Sequence, residues 1–303
     1  MAITAQDVKA LREMTGVGMM DCKKALAASD GDMDKAVEWL REKGLAASAK
    51  KAGRIAAEGM AYACVIDGVG VVVEVNAETD FVGKNEKFVD FVKGVASTVA
   101  ACAPADLDAL MECKYSGTDL TVTQQQQEMV LVIGENIKVR RFARFADGTS
   151  VPYIHAGGKI GVLVNLEVTG GIDATEVGKD MAMQIAALNP RFLDKSQVTQ
   201  DVLDEEKKIL LAQMDNDPKM ASKPAQVKEK IVEGKLNKFY AENCLLQQTF
   251  VKDNDVTVEQ YMNAAAKKLG GAITLKDAVR FEKGEGIEKK QENFAEEIAK
   301  LAQ

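Results

Sequence analysis

The stretch 71-VVVEVNAETDFVGKN-85 decides how this chain is read. A valine-rich run of this kind is a buried strand, because β-branched residues fit a pleated, covered surface. The run breaks into Glu78-Thr79-Asp80-Phe81-Val82 before a helix begins. A surface turn there sets a carboxylate beside a large aromatic ring, and either the fold or another molecule must account for the pair.

Composition bounds the answer. At 303 residues the chain has room for two or three domains, and 47% hydrophobic residues are ample for real cores. Aromatics are 5%, with one Trp, so packing rests on Ala, Val, Leu and Met. A net charge of −7 without a long basic run argues against general binding to nucleic-acid phosphate. No run of about 18 apolar residues exists, so no membrane span is expected. The segment MAITAQDVKALREMTG lacks the apolar core of a signal peptide and the arginine bias of a transit peptide. Five cysteines, odd in number and without C-x-x-C spacing, read as free thiols in a reducing cytoplasm. No metal centre and no cofactor are expected.

Residues 4 to about 43 read as three short helices. Thr4 or Asp7 opens the first, with Val8, Leu11 and Met14 on one face; Gly16-Val17-Gly18 breaks it. Asp21 is expected to begin the second. The third follows Asp30-Gly31-Asp32, uses Val37, Trp39 and Leu40 as its core face and is expected to end at Gly44. The arrangement resembles the ubiquitin-associated three-helix fold. Met19-Met20 lies at its loop, and two adjacent residues at a helix start cannot both face the core. The small, basic segment 46–54 reads as a linker or a short frayed helix.

The rest of the chain repeats itself. At an offset of 91 residues, 61-AYACVIDGVGVVVEVNAETDF-81 aligns with 152-PYIHAGGKIGVLVNLEVTGGI-172, matching Tyr62 to Tyr153 and Gly70 to Gly161. Asp67-Gly68 and Gly157-Gly158 each fit a tight hairpin turn. A helix follows in both, on Phe88, Phe91, Val92, Val95 and Val99, and on Val177, Met181, Ile185 and Leu188. At an offset of 136, 121-TVTQQQQEMVLVIGENIKVRRFARFADG-148 aligns with 257-TVEQYMNAAAKKLGGAITLKDAVRFEKG-284. Thr121, Gln124, Gly134, Ile137, Arg144, Phe145 and Gly148 recur, so each unit closes with a helix, a glycine stop and a third strand. The expected fold is α+β: a three-helix head, then two duplicated units of three-stranded antiparallel sheet with helices. The expected boundaries are 1–54 for head and linker, 55–149 for the first unit, 150–284 for the second and 285–303 for a C-terminal helix. The offsets differ by 45 residues, and this extra length lies at about 200–250. It reads as helices 201–214 (Val202, Leu203, Ile209, Leu210, Met214) and 225–240 (Val227, Ile231, Leu236, Phe239), joined by a proline-bearing turn into a coiled-coil hairpin.

The repeat tests the opening question. Thr79-Asp80-Phe81 aligns with Gly170-Gly171-Ile172, so the turn is made elsewhere without a carboxylate or an aromatic. Asp80 as an ordinary N-cap and Phe81 as a hydrophobic staple stand as the structural alternatives. Display to another molecule explains the pair better. A lone carboxylate beside an aromatic is poor acid–base or nucleophilic machinery, and the single histidine, His155, lies in a hairpin region. The glycines at 157–161 join strand to strand, so no helix N-terminus faces a phosphate. No catalytic residue is assigned. A phenylalanine probe is another matter, since burying one on a partner contributes about 1.5–3 kcal/mol.

At these residues the chain resembles the elongation factor Ts family, the nucleotide exchange factors of elongation factor Tu. EVNAETDFVGKN, LREMTGVGMMDCKKAL, IGENIKVRR and GEGIEK carry the resemblance, which spans essentially the whole chain. Ala77 and Gly83 depart from the signature, and Gly83 is expected to loosen the helix start behind Phe81. The resemblance implies that Thr79, Asp80, Phe81 and Val82 intrude near the Mg²⁺ site of elongation factor Tu. It implies that His155 presses towards the phosphate side, that Met19, Met20 and Lys23 dock the head, and that Ile133, Gly134 and Val251 join the surface. Both GDP-bound and nucleotide-free forms are implied partners, and self-association through the core or the hairpin stays open. A non-enzymatic scaffold or adaptor using the helical head is the alternative reading.

Overall fold

The computed structural model describes residues 3–288. The first elements are helices α1 (Ala5–Thr15), α2 (Met19–Ala28) and α3 (Met33–Lys51). Val8, Leu11, Val17, Cys22, Ala25, Leu26, Ala36 and Leu40 form their shared core. Thr4 and Asp7 make a capping box on α1. Two expectations change here. The second helix starts at Met19, capped by Gly18, two residues before Asp21. The third does not end at Gly44 but runs on to Lys51, so of the two readings of 46–54 the helical one holds over most of the segment, as a continuation of α3. Gly44 does not stop the helix because it faces α6 (Val122–Ile133), where a Cβ would meet the Gln127 carbonyl oxygen at 3.3 Å.

Strands β1 (Glu58–Ile66), β2 (Val69–Ala77) and β3 (Lys138–Phe145) form one antiparallel sheet in that order, with α4 (Glu86–Cys102), α5 (Leu107–Glu112) and α6 between β2 and β3. The short α5 was not anticipated. Strands β4 (Thr149–His155) and β5 (Ile160–Thr169) pair antiparallel with each other, and β5 with β8 (Ala272–Glu282). Helix α7 (Thr175–Leu188) follows β5, and α11 (Val258–Leu269) precedes β8. Between them lie α8 (Gln200–Asn216), the short α9 (Pro218–Ala221), α10 (Ala225–Asn243) and a small hairpin of β6 (Thr249–Phe250) and β7 (Asp253–Thr257). The helix expected over 291–303 lies outside the described residues.

The two sheets pack against each other through Ala61, Ala63, Val72, Leu163 and Phe281. Their outer faces carry the helices: Val71, Val73, Val75 and Val139 meet Phe88, Phe91, Val92, Val95 and Val130 in one core. Val162, Val164 and Leu166 meet Val177, Met181, Ile185, Val258 and Met262 in the other. Central strands β2 and β5 are thus covered on both sides, which is why their sequences run apolar instead of alternating. Leu188, expected on the core face of α7, is 48% exposed, at the last residue of its helix.

Matching devices recur at the offsets of the sequence repeat. Thr121 with Gln124, and Thr257 with Gln260, make capping boxes on α6 and α11; Gly134 and Gly270 end those helices in the left-handed conformation. Each third strand carries a bulge at the same place, after Glu74 opposite β3 and after Asn165 opposite β8. The hairpin turns differ. Asp67 and Gly68 form a two-residue loop with both φ positive. His155 pairs with Ile160, which leaves a four-residue loop instead of the tight Gly157-Gly158 turn expected.

In the 200–250 region, Leu210 and Met214 of α8 pack with Val232 and Leu236 of α10. Ile209 and Val227, expected on the buried faces, are 47% and 41% exposed; Val232 is buried in their stead. Phe239 turns to a second cluster with Val198 and Cys244.

Candidate functional site

After β2 the backbone leaves the sheet at Glu78 and makes a turn through Thr79 and Asp80 into a single 3₁₀ turn, Val82–Lys84. Helix α4 begins only at Glu86, capped by Asn85, whose side chain accepts from the Lys87 amide at 3.0 Å. Asp80 is therefore not the N-cap of α4. Phe81 is no staple either, because it is 81% exposed while the adjacent Val82 is buried. Both structural alternatives fail on these observations.

Gly83 has a packing reason. A Cβ there would sit 2.8 Å from the Gly59 carbonyl oxygen of β1, so only glycine lets the 3₁₀ turn close onto the strand. It tightens the junction behind Phe81, where loosening was expected.

Two carboxylates clamp the turn in opposite directions. Glu135, just after α6, accepts from the Thr79 amide at 2.9 Å and from the Thr79 hydroxyl at 2.7 Å. Glu78 in turn accepts from the Asn136 amide at 2.6 Å and from Arg54 Nη1 at 3.4 Å. The Asn136 side-chain amide donates to the Arg54 carbonyl at 2.8 Å. Hydrogen bonds to ionised acceptors are among the stronger ones available, so the loops at 78–80 and 134–136 behave as one piece. The sequence alone assigns no role to Glu78, Glu135, Asn136 or Arg54. Residues 79 and 135 are far apart along the chain, and no local pattern links them.

Around the clamp lies a shallow hollow of about 290 Å³ lined by Phe81, Val82, Asn85, Lys87, Val132 and Ile133. Ile133 is half-buried at the end of α6, and Gly134 is exposed as its left-handed cap. Lys87 donates to the Gly16 carbonyl at 3.0 Å, which ties the loop before α2 to the start of α4. Met19 and Met20, in the first turn of α2, are 55% and 66% exposed, so both are displayed, and Lys23 is exposed one turn on. Val132 also lines a second hollow with Met14, Val17, Leu40 and Arg41, so the helical head and the Phe81 turn adjoin along α6.

His155 ends β4 and is exposed, with Nδ1 3.1 Å from the Tyr153 hydroxyl. Its hairpin turn rests on β1, where a Cβ on Gly158 would meet Met60 and the Ala61 amide donates to the Gly158 carbonyl at 2.8 Å. The His155 turn and the Gly83 turn thus contact neighbouring residues of β1, at Met60 and Gly59. Val251 lies apart from these, in the turn after β6, 41% exposed; its amide donates to Gln184 Oε1 at 2.8 Å. Among the described residues no group of three or more His, Cys, Asp or Glu side chains is arranged to hold a metal ion, and no helix is long and apolar enough to cross a membrane.

An exposed aromatic with a carboxylate beside it on a hydrogen-bonded turn, together with methionines displayed on the head, is the kind of surface carried by the class of proteins that work through contact with another macromolecule. The comparisons give that class a family. A family model described as Elongation factor TS matches residues 78–285. A protein named Elongation factor Ts from Trichlorobacter lovleyi is 50% identical over 312 residues, covering 100% of this chain and 99% of that protein. Proteins of the same name from Syntrophotalea carbinolica and Clostridium kluyveri are 47% and 49% identical, covering 99% and 98% of this chain and the same shares of their own lengths. The chain belongs to the elongation factor Ts family.

Proposed function

We propose that this chain is a guanine-nucleotide exchange factor that acts on elongation factor Tu during protein-synthesis elongation. The observation that carries the reading is Phe81, four-fifths exposed on a turn clamped by Glu78 and Glu135. Exposing a phenylalanine on a rigid support has no benefit for the isolated chain. On a partner, that side chain contributes about 1.5–3 kcal/mol. Family membership supplies the partner.

In this reading Phe81 wedges into elongation factor Tu beside its bound Mg²⁺, with Thr79 flanking it, while Val82, expected in the contact, is buried in the core and anchors the turn from beneath. Asp80 disturbs the ion or its water shell, which few carboxylates and several waters normally hold. His155 presses from the neighbouring turn towards the phosphate side. Met19, Met20 and Lys23 dock the head, and Ile133, Gly134 and Val251 extend the contact. Residues 1–54 act as the head and its connection. Residues 55–149 and 150–284 are two copies of one unit, a reading supported by the matched capping boxes and bulges. The helices at about 200–250 form a coiled-coil hairpin, whose exposed Ile209, Leu211 and Val227 meet the partner or a second copy.

No bond is made or broken by the chain itself. It binds nucleotide-free partner more tightly than nucleotide-bound partner, and by linkage the nucleotide is weakened by the same factor. Moving such an equilibrium from 1:99 to 99:1 takes about 5.5 kcal/mol, more than one phenylalanine supplies, so the head contact is required as well.

The test is the release of fluorescent GDP from elongation factor Tu, with the intact chain and with Phe81→Ala. Acceleration by the intact chain, largely lost in a variant that still binds, supports the reading. No acceleration by either protein overturns it in favour of a scaffold.

A further inference from the structure

The clamp beneath Asp80 and Phe81 has a counterpart in the same chain where nothing is displayed. The offset of 91 carries Thr79 to Gly170, and the offset of 136 carries Glu135 to Gly271. Those two glycines also meet, since a Cβ on Gly170 would lie 2.9 Å from the Gly271 Cα. At the bare turn the junction closes by direct backbone contact. At the turn that bears Asp80 and Phe81, the same junction is held by a carboxylate taking both the amide and the hydroxyl of Thr79. A polar clamp is therefore not what the junction needs in order to close.

We propose that Glu135 is a positioning residue for nucleotide exchange. It fixes Thr79, and through the following peptide it sets the direction in which Asp80 and Phe81 leave the surface. A side chain ordered before contact spares the complex the entropy of ordering it, and the gain falls on the step in which the probe enters the partner. Glu135 is half-buried and its carboxylate is turned onto Thr79, so it acts through the turn. The inference rests on the exchange-factor reading.

Release of fluorescent GDP from elongation factor Tu tests it with the full-length chain, varied at Glu135→Ala, Glu135→Gln, Thr79→Val and Phe81→Ala. The expected result for Glu135→Ala is a maximal release rate lowered roughly three- to tenfold, the equivalent of reordering one or two side chains. Its half-saturating concentration stays within about twofold, because the head contact is intact. Glu135→Gln, whose amide oxygen still accepts from Thr79, recovers most of the rate, and Thr79→Val, which loses only the hydroxyl contact, falls between. In a Phe81→Ala background the further loss on Glu135→Ala is much smaller, limited to what Asp80 still contributes. A purely structural role predicts instead an equal loss with and without Phe81, and that result overturns the proposal, as does a full rate in Glu135→Ala. Should Glu135→Ala fail to fold, Glu135→Gln and Thr79→Val against Phe81→Ala decide the same question. If the intact chain does not accelerate release, the exchange reading itself has failed and the proposal falls with it. If the intact chain works and only the Glu135 variants behave as wild type, the positioning role alone is wrong.

Discussion

The carbonyl oxygen of Gln127 lies 3.3 Å from the place a Cβ on Gly44 would occupy, at the crossing of α3 and α6. Glycine within a helix costs about 1 kcal/mol relative to alanine, so close approach of the two backbones is what the residue provides. Gly44→Ala should be within about 1 kcal/mol of wild type, the propensity gain offsetting the tight contact. Gly44→Leu should destabilise the packing of head on core by about 1–3 kcal/mol, as overpacking does. Trp39, the single tryptophan, lies on α3 and gives the fluorescence signal for a urea titration.

Among the described residues Glu74 is the one carboxylate buried completely, inside the valine run of β2. The bulge in β3 lets the consecutive Arg140 and Arg141 both reach it, at 2.9 and 2.5 Å, and Asn76 and the Gly284 amide complete its shell at 3.0 and 2.8 Å. Burial alone would raise its pKa, but the Gly284 amide, the two arginines and Asn76 outweigh burial and leave it below the ordinary 4.5. A depressed folded-state value means stability that is present above the unfolded pKa and lost as pH falls through the folded one. Acid unfolding of the wild type should therefore begin below about pH 4.5. Glu74→Ala should cost up to about 3–5 kcal/mol at neutral pH, because Arg140 loses its carboxylate partner and Arg141 keeps only Glu285, and should flatten the acid limb of a stability–pH curve.

The thiols should separate by rate. Cys102 is exposed at the end of α4. Burial pushes Cys64 and Cys244 up to about 11, and burial with a hydrogen bond to Cys102 does the same for Cys113. Because the thiolate is the nucleophile, a colorimetric disulfide reagent at pH 8 should titrate Cys102 first, the half-buried Cys64 and Cys113 more slowly, and the buried Cys22 and Cys244 last. In Cys102→Ser the fast phase should vanish; its persistence would place the reactive thiol elsewhere.

Much of this architecture is legible in the sequence because the signals are local. The runs of β2 and β5, the core stripe of α4 and the Thr-x-x-Gln boxes each carry their own evidence within about a dozen residues. Glycine shows where that ends. Gly134 and Gly44 both follow helical patterns, yet one caps its helix in the left-handed region while the other lies inside a helix against Gln127. Only a contact made across the fold tells them apart. The candidate site divides the same way. Thr79-Asp80-Phe81-Val82 is a contiguous run that the internal repeat isolates, whereas Glu78, Glu135 and Asn136 gain meaning only once the 78–80 and 134–136 loops meet. Glu74 could have been suspected as a lone charge in an apolar strand, but its arginine partners depend on a bulge that no residue pattern announces.

The two exposed ends of the proposed contact should fail in different ways. Met19 and Met20 are more than half exposed in the first turn of α2, and replacing both by alanine removes no core contact, so the melting temperature should stay within the scatter expected of surface changes. If they dock the head, each loses part of the 1.5–3 kcal/mol that a buried methionine contributes, roughly 1 kcal/mol apiece. The half-saturating concentration in the GDP-release assay should then rise about tenfold or more, while the rate at saturation holds. Phe81→Ala should do the reverse, lowering the saturating rate with a smaller effect on binding, because its contact is realised as the nucleotide leaves. Equal effects on both parameters in the two variants would mean that head and turn form a single undivided interface.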